Sequence, residues 1–219
     1  VTHIHDVVPL FGSNTGDYNE VDLGELMDPF HMLYLPMNEL VTRGGEYDLR
    51  RTPDLSPFSQ TGALLTGASL TATNDLTASS SLQAPHGRGR ALVMAGEGGL
   101  RMQLDPQVTG PLKGFTAEVS LRPDALGLCG AGNSQVVLSK LGVMDITLEA
   151  DGALNARLRL GRSWAELRTP SPLPKESWSH IALVWDSVEE SLTLSLNGLP
   201  VGHVNTPPGP FRLGPRYVT

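Results

Sequence analysis

Apolar and polar residues alternate strictly along several short stretches of the chain, most clearly from residue 114 onward. Phe115, Ala117, Val119 and Leu121 fall on one parity, with Thr116, Glu118 and Ser120 on the other. Successive strand side chains point to opposite faces, so this run predicts a strand with one buried face, ended by Pro123. Leu154, Ala156, Leu158 and Leu160 alternate in the same way with Asn155, Arg157 and Arg159, as do Leu192, Leu194 and Leu196 with Thr193, Ser195 and Asn197. One apolar and one polar face per strand is the pattern of antiparallel sheets. In the run 177–186, Trp178, His180, Ala182 and Val184 share one face, and Ile181, Leu183 and Trp185 share the other, which predicts a strand buried on both sides.

The turns between these runs set registers. If Ala150-Asp151-Gly152 is a three-residue hairpin loop with Gly152 in the left-handed region, Leu148 faces Leu154, Ile146 faces Ala156 and Met144 faces Leu158. A two-residue Asp151-Gly152 turn would set Leu148 opposite Asn155 and is rejected, because a one-residue slip exchanges the two faces. A two-residue Gly161-Arg162 loop sets Leu158 opposite Ala165 and Ala156 opposite Leu167 on the apolar side, and pairs Arg159 with Trp164 and Arg157 with Glu166 on the polar side. Residues 143–168 are therefore expected to form a three-stranded meander. Asn197-Gly198 is a further hairpin signal rather than a site.

From residue 31 the turn signals recur at the spacing of a β-sandwich, roughly 8–12 residues. The Ser-, Thr-, Ala- and Gly-rich stretch 69–90 reads as one long loop within that pattern. Residues 1–30 are acidic, lack Lys and Arg, and keep neither a helical nor a strand period. The expected organisation is an acidic arm or linker over 1–30 and one sandwich over 31–219.

Composition agrees. The 24 Gly and 17 Pro among 219 residues favour many short strands over long helices. The net charge of −7 argues against non-specific binding to phosphate backbones. A single cysteine, Cys129, excludes an intrachain disulfide and a tetra-cysteine zinc site. No apolar run approaches the ~20 residues of a membrane-spanning helix, and nothing near Val1 reads as a secretory leader. A chain opening on Val is expected to be a processed product, a fragment or the product of an alternative start codon.

Several segments, in order, resemble the concanavalin A-like lectin/glucanase superfamily, specifically its LamG-like (laminin-G-type) jelly rolls. Residues 31–39 (HMLYLPMNE) look like the opening strand of that family, residues 54–67 (DLSPFSQTGALLTG) like its D-x-S-x…G element, and residues 89–96 (GRALVMAG) like its G-x-A-L-x-F-x-G strand. Residues 114–123 (GFTAEVSLRP) are similar to F-T-x-E-x-W-x-R-P, with Leu121 where Trp is usual. The most specific match is 177–186 (SWSHIALVWD) followed by 192–198 (LTLSLNG), which resembles W-x-H-[IV]-A-x-x-[WY]-D…L-x-L-Y-[VL]-N-G. The resemblance implies an all-β antiparallel sandwich, a jelly roll of concanavalin A-like type, here with an irregular N-terminal arm. Family members usually continue past the equivalent of Phe211 with an I-D-E/D-[VF]-R-[IL] strand. Its absence predicts an open sheet edge unless residues 1–10, a neighbouring chain or residues outside this sequence fill it.

Candidate chemistry is sparse. Glu20, Asp22 and Glu25 read E-x-D-x-x-E, which resembles the catalytic motif of some glucanases of this fold; on a bulged strand such spacing can direct three carboxylates into one cleft, with nucleophile and acid/base about 5–5.5 Å apart for a retaining mechanism. The motif precedes the first strand in a segment without Trp, so a solvated acidic linker is the better reading. His3 and His5 project to one side if extended and would gather around a metal only in a trimer. A rim Ca²⁺ would draw on Asp105, Asp124, Asp145 or Asp186, and no multi-oxygen loop spacing singles one out. Trp164 is expected on the polar face beside Asn155, Arg157, Glu166 and Arg168, where an indole among amides and charges suits sugar stacking and hydroxyl hydrogen bonding. The competing expectation is that Arg159, directly across the hairpin, covers the ring by a cation–π contact.

These readings favour a non-catalytic, lectin-like recognition or adhesion module, extracellular or on a virion surface, binding a glycan or a surface protein and not nucleic acid. The alternative is a structural component of a phage tail or capsid, or of a bacterial appendage, with residues 1–30 mediating oligomeric assembly. A glycoside hydrolase using Glu20, Asp22 and Glu25 ranks third.

Overall fold

The computed structural model describes the strand backbones before residue 111, continuous stretches at 111–123 and 134–208, and two short strands after residue 210. Eighteen strands occur among the described residues: β1 Val41–Arg43, β2 Glu46–Asp48, β3 Arg51–Pro53, β4 Thr61–Leu64, β5 Ala68–Ala72, β6 Arg90–Met94, β7 Leu100–Gln103, β8 Pro111–Leu112 and β9 Gly114–Leu121, then β10 Gln135–Lys140, β11 Met144–Leu148, β12 Leu154–Leu160, β13 Ser163–Arg168, β14 Ser179–Asp186, β15 Ser191–Leu196, β16 Leu199–Asn205, β17 Phe211–Arg212 and β18 Tyr217–Val218. The arm, with His3, His5, Glu20, Asp22 and Glu25, lies outside the described residues, as do the proposed opening strand 31–39, Asp105, Asp124 and Cys129.

Two antiparallel sheets make an all-β sandwich. One runs β13-β12-β11-β10-β18-β7-β4-β3, the other β16-β15-β14-β9, and the pairs β1-β2, β5-β6 and β8-β17 stand as separate ribbons. Between the sheets, Ile146, Leu154, Leu158, Ile181, Leu183, Leu192 and Leu194 are wholly buried in one cluster with Phe115, Leu167 and Trp185. Phe115 is buried, and Ala117, Val119 and Leu121 pack partly buried against the cluster, as their parity predicts.

The meander has the registers read from its turns. Leu148 pairs with Leu154, Ile146 with Ala156 and Met144 with Leu158, and Leu158 pairs with Ala165, Ala156 with Leu167, Arg157 with Glu166 and Arg159 with Trp164. Gly152 takes φ 85° and Gly161 φ 64°, the left-handed region that glycine enters without a Cβ penalty. At the other hairpin Asn197 and Gly198 have φ 51° and 80°, as a two-residue type I′ turn requires.

Three expectations need correction. Strand β14 is fully buried on one face only: Ile181, Leu183 and Trp185 face the core, while His180 and Val184 opposite are partly exposed and the small Ala182 alone is covered. Its even positions form the outer face of the four-stranded sheet, so the apolar character there reflects half-burial rather than a second core. The stretch 69–90 is not loop throughout, because its ends lie in β5 and β6, which pair as a hairpin from Ala68↔Met94 to Ala72↔Arg90. The last sheet edge is also filled from within the chain, since Val218 pairs with both Lys140 and Met102. Two residues are too short to show a period, which is why the sequence hides that strand.

Sheet margins are blunted by local chemistry. At the β16 edge the register shifts between Leu194 and Ser195 of its partner, opposite Pro200 and Gly202. A bulge and a proline both discourage pairing with another chain.

Candidate functional site

The outer face of β11, β12 and β13 carries every polar residue singled out around Trp164. In-register rows cross it: Asp145, Arg157 and Glu166 in one, Thr147, Asn155 and Arg168 in a second, and Arg159 with Trp164 in a third. Strand β13 is the margin of the sheet, so Trp164 stands at an edge, two residues past the Gly161-Arg162 turn. Its relative exposure is 40%, high for an indole.

Arg157, not Arg159, lies over the ring. Its guanidinium carbon is 4.8 Å from the Trp164 centroid, although the residue directly opposite Trp164 is Arg159. The diagonal contact follows from the twist of paired strands, which brings long side chains at i and j±2 within reach. It also follows from where Arg159 is held: its Nε donates to the Gly161 carbonyl at 3.3 Å, which turns that guanidinium toward the hairpin tip.

Arg157 is itself anchored. Its Nε and a terminal nitrogen donate to Asp145 Oδ2 at 2.9 and 2.8 Å, and Ser139 Oγ donates to Asp145 Oδ1 at 2.6 Å. A chain from Ser139 through Asp145 and Arg157 therefore ends on one side of the indole. The Arg157–Trp164 contact is worth about 0.5–1 kcal/mol at such an exposed site. It biases the indole toward the orientation that lies against the Arg157 guanidinium.

The remaining residues sort by what they still offer. Asn155 Nδ2 donates to Glu166 Oε1 at 2.7 Å, while Asn155 Oδ1 is shielded from solvent, so Asn155 positions Glu166. Glu166 is exposed and keeps its second carboxylate oxygen as an acceptor. Arg168 is paired with Asp151. The Ala153 amide, which donates to Asp151 Oδ1 at 3.1 Å, and the Arg168 guanidinium beside it hold the Asp151 carboxyl below its ordinary value.

Of the aspartates weighed as Ca²⁺ ligands, Asp145 is engaged by Ser139 and Arg157. Asp186 Oδ1 accepts from the Val188 and Glu189 amides at 2.7 and 3.2 Å, fastening the β14–β15 turn. Among the described residues no three His, Cys, Asp or Glu side chains gather in a group able to hold a metal ion. Among them, too, no helix is long and apolar enough to cross a membrane.

Asp145 had a signal in the sequence that the Ca²⁺ reading obscured. The Gly152 turn that sets Ile146 opposite Ala156 also sets Asp145 opposite Arg157, a cross-strand charge pair.

Residues 96–217 match the family model Laminin_G_3, described as the concanavalin A-like lectin/glucanases superfamily. The chain belongs to this family. No curated protein sequence matches it. Among solved structures, this LamG-like chain is similar to the binding domain of botulinum neurotoxin DC in complex with SialylT, at 8% identity and a TM-score of 0.53 over 85% of this chain and 42% of that one. It is similar also to a mutant of HCR/D, at 8% identity and a TM-score of 0.57 over 84% of this chain and 44% of that one. Domain 4 of AbnA, an extracellular arabinanase from Geobacillus stearothermophilus solved with arabinotriose, matches at 15% identity and a TM-score of 0.48, over 72% of this chain and 71% of that one. The LamG-like chain spans less than half the length of the first two, and at such identities the likeness is one of fold.

Proposed function

We propose that this LamG-like sandwich is a non-catalytic carbohydrate-recognition module, acting outside the cell or on a virion surface, with the outer face of β11–β13 as its binding surface. The observation that carries this reading is the exposed Trp164 ring, steadied on one side by the anchored Arg157 and flanked by Glu166. A fixed aromatic plane offers the C–H face of a pyranose a stacking partner, and neighbouring acceptors and donors take its hydroxyls. A structural neighbour described as a binding domain in complex with SialylT is in keeping with this use of the fold. Fold alone does not assign a ligand, so the weight rests on the site.

The test is a glycan array followed by calorimetry on the best ligand. Trp164→Ala is expected to weaken binding by about tenfold or more, with Trp164→Phe keeping most of the affinity. The side chain is exposed, so the melting temperature should move little. Binding to no glycan, or binding indifferent to Trp164→Ala, overturns the assignment.

A further inference from the structure

The four arginines on β12, β13 and their turn differ in how their charge is met. Arg157 is neutralised by Asp145 and Arg168 by Asp151. Among the described residues Arg159 makes one hydrogen bond, from Nε to the Gly161 carbonyl, and none of them meets its terminal nitrogens. Arg162 stands in the exposed two-residue turn, and no acidic side chain among the described residues pairs with it. In a chain of net charge −7, two cations three residues apart with no acidic partner among the described residues are out of keeping with the general balance. Their position matters as much as their number, because Arg159 is the direct cross-strand partner of Trp164.

Building on the carbohydrate reading, we infer that the saccharide taken at this face is anionic, carrying a carboxylate or a sulfate, and that Arg159 and Arg162 receive that group beside the Trp164 ring. The planar guanidinium fork matches two oxygens of such a group in a way an ammonium does not. The face is also polarised along β13. The hairpin tip carries Arg162, with Arg159 turned toward it, whereas Glu166, two residues beyond Trp164 in the other direction, carries an exposed carboxylate. An acidic sugar is thereby oriented, with its charged group toward the tip and its hydroxyls toward Glu166.

The test compares matched ligands by calorimetry: oligogalacturonate against its fully methyl-esterified form of equal length, and dextran sulfate against dextran. The wild-type chain is expected to bind the charged member of at least one pair about tenfold or more tightly than the neutral one. Which pair shows the preference tells carboxylate from sulfate. The double variant Arg159→Gln/Arg162→Gln should bring the two members together without changing the circular dichroism or the melting temperature, while Trp164→Ala weakens both. Equal binding of charged and neutral members with a loss on Trp164→Ala overturns the inference and leaves the carbohydrate reading intact. A charge preference that survives the double variant overturns it as well. Binding of none of these ligands overturns the inference, and a blank glycan array overturns the carbohydrate reading with it.

Discussion

Trp185→Ala is expected to lower the unfolding free energy by about 3–5 kcal/mol, the range for truncating a large aromatic in a packed core. Trp185 is 1% exposed and lies on β14, an interior strand of the four-stranded sheet. It pairs in register with Phe115 on β9 and with Leu192 on β15, and its ring centroid is 6.2 Å from that of Phe115 at an interplanar angle of 40°. The substitution removes the common partner of both neighbouring strands and leaves a cavity between the sheets. Because domains are stable by only about 5–15 kcal/mol, this is a large fraction of the total. Urea melts followed by circular dichroism read the effect as a lower midpoint at unchanged slope. Trp185→Phe should recover most of the loss, since a ring still fills the space. A loss below about 1 kcal/mol would show that the inner face of β14 does not organise the core.

That same strand shows what the sequence could and could not specify. The parity of residues 177–186 correctly assigned Ile181, Leu183 and Trp185 to one face, yet Trp178, His180, Ala182 and Val184 read as a second buried face. Composition distinguishes apolar from polar positions, but not full burial from the half-burial of an outer sheet surface. The meander was legible down to individual pairs because glycines at 152 and 161 fix the loop lengths, and loop length fixes register. Strand β10 was not singled out, and its register shift between Val136 and Leu138 explains why: the bulge breaks the alternation that marks its neighbours. The two-residue strands β17 and β18 carry no period at all.

For the candidate site, pairing rules placed Trp164, Arg157, Asn155, Glu166 and Arg168 on one outer face but misjudged who touches whom. Opposition in register suggested Arg159 as the partner of the indole, whereas twist and the Gly161 carbonyl divert Arg159 and bring Arg157 over the ring diagonally. Side-chain reach across a twisted pair is a three-dimensional property. A register written as a ladder omits it, and here the omission concealed that Arg157 rather than Arg159 lies against the indole.

Gly202→Leu is expected to destabilise the chain by about 1–3 kcal/mol through overpacking, and to weaken the saccharide binding proposed for a face it does not line. Gly202 lies on β16, where a Cβ would come within 3.3 Å of Leu167 Cδ2, 3.6 Å of Leu167 Cβ and 3.8 Å of Leu194 Cβ. Leu167 is the inward-facing residue of β13 between Glu166 and Arg168. The absence of a side chain at 202 lets the edge strand of one sheet rest against the edge strand of the other. A leucine there must push β13 outward or drive Leu167 off its rotamer, and either response disturbs the strand that presents Trp164 and Glu166. Leu167→Ala alone should cost about 2–5 kcal/mol, as for other buried leucines. The double variant Gly202→Leu/Leu167→Ala should be more stable than the sum of the two single losses predicts, by about 0.5–3 kcal/mol, because the added side chain fills the space the other vacates. Denaturant melts of the four proteins in the cycle give that coupling, and calorimetry with the ligand found for Trp164 gives the functional half. Strict additivity would show that Gly202 and Leu167 do not share a packing constraint, and full affinity in Gly202→Leu would show that the position of β13 is set by β12 alone.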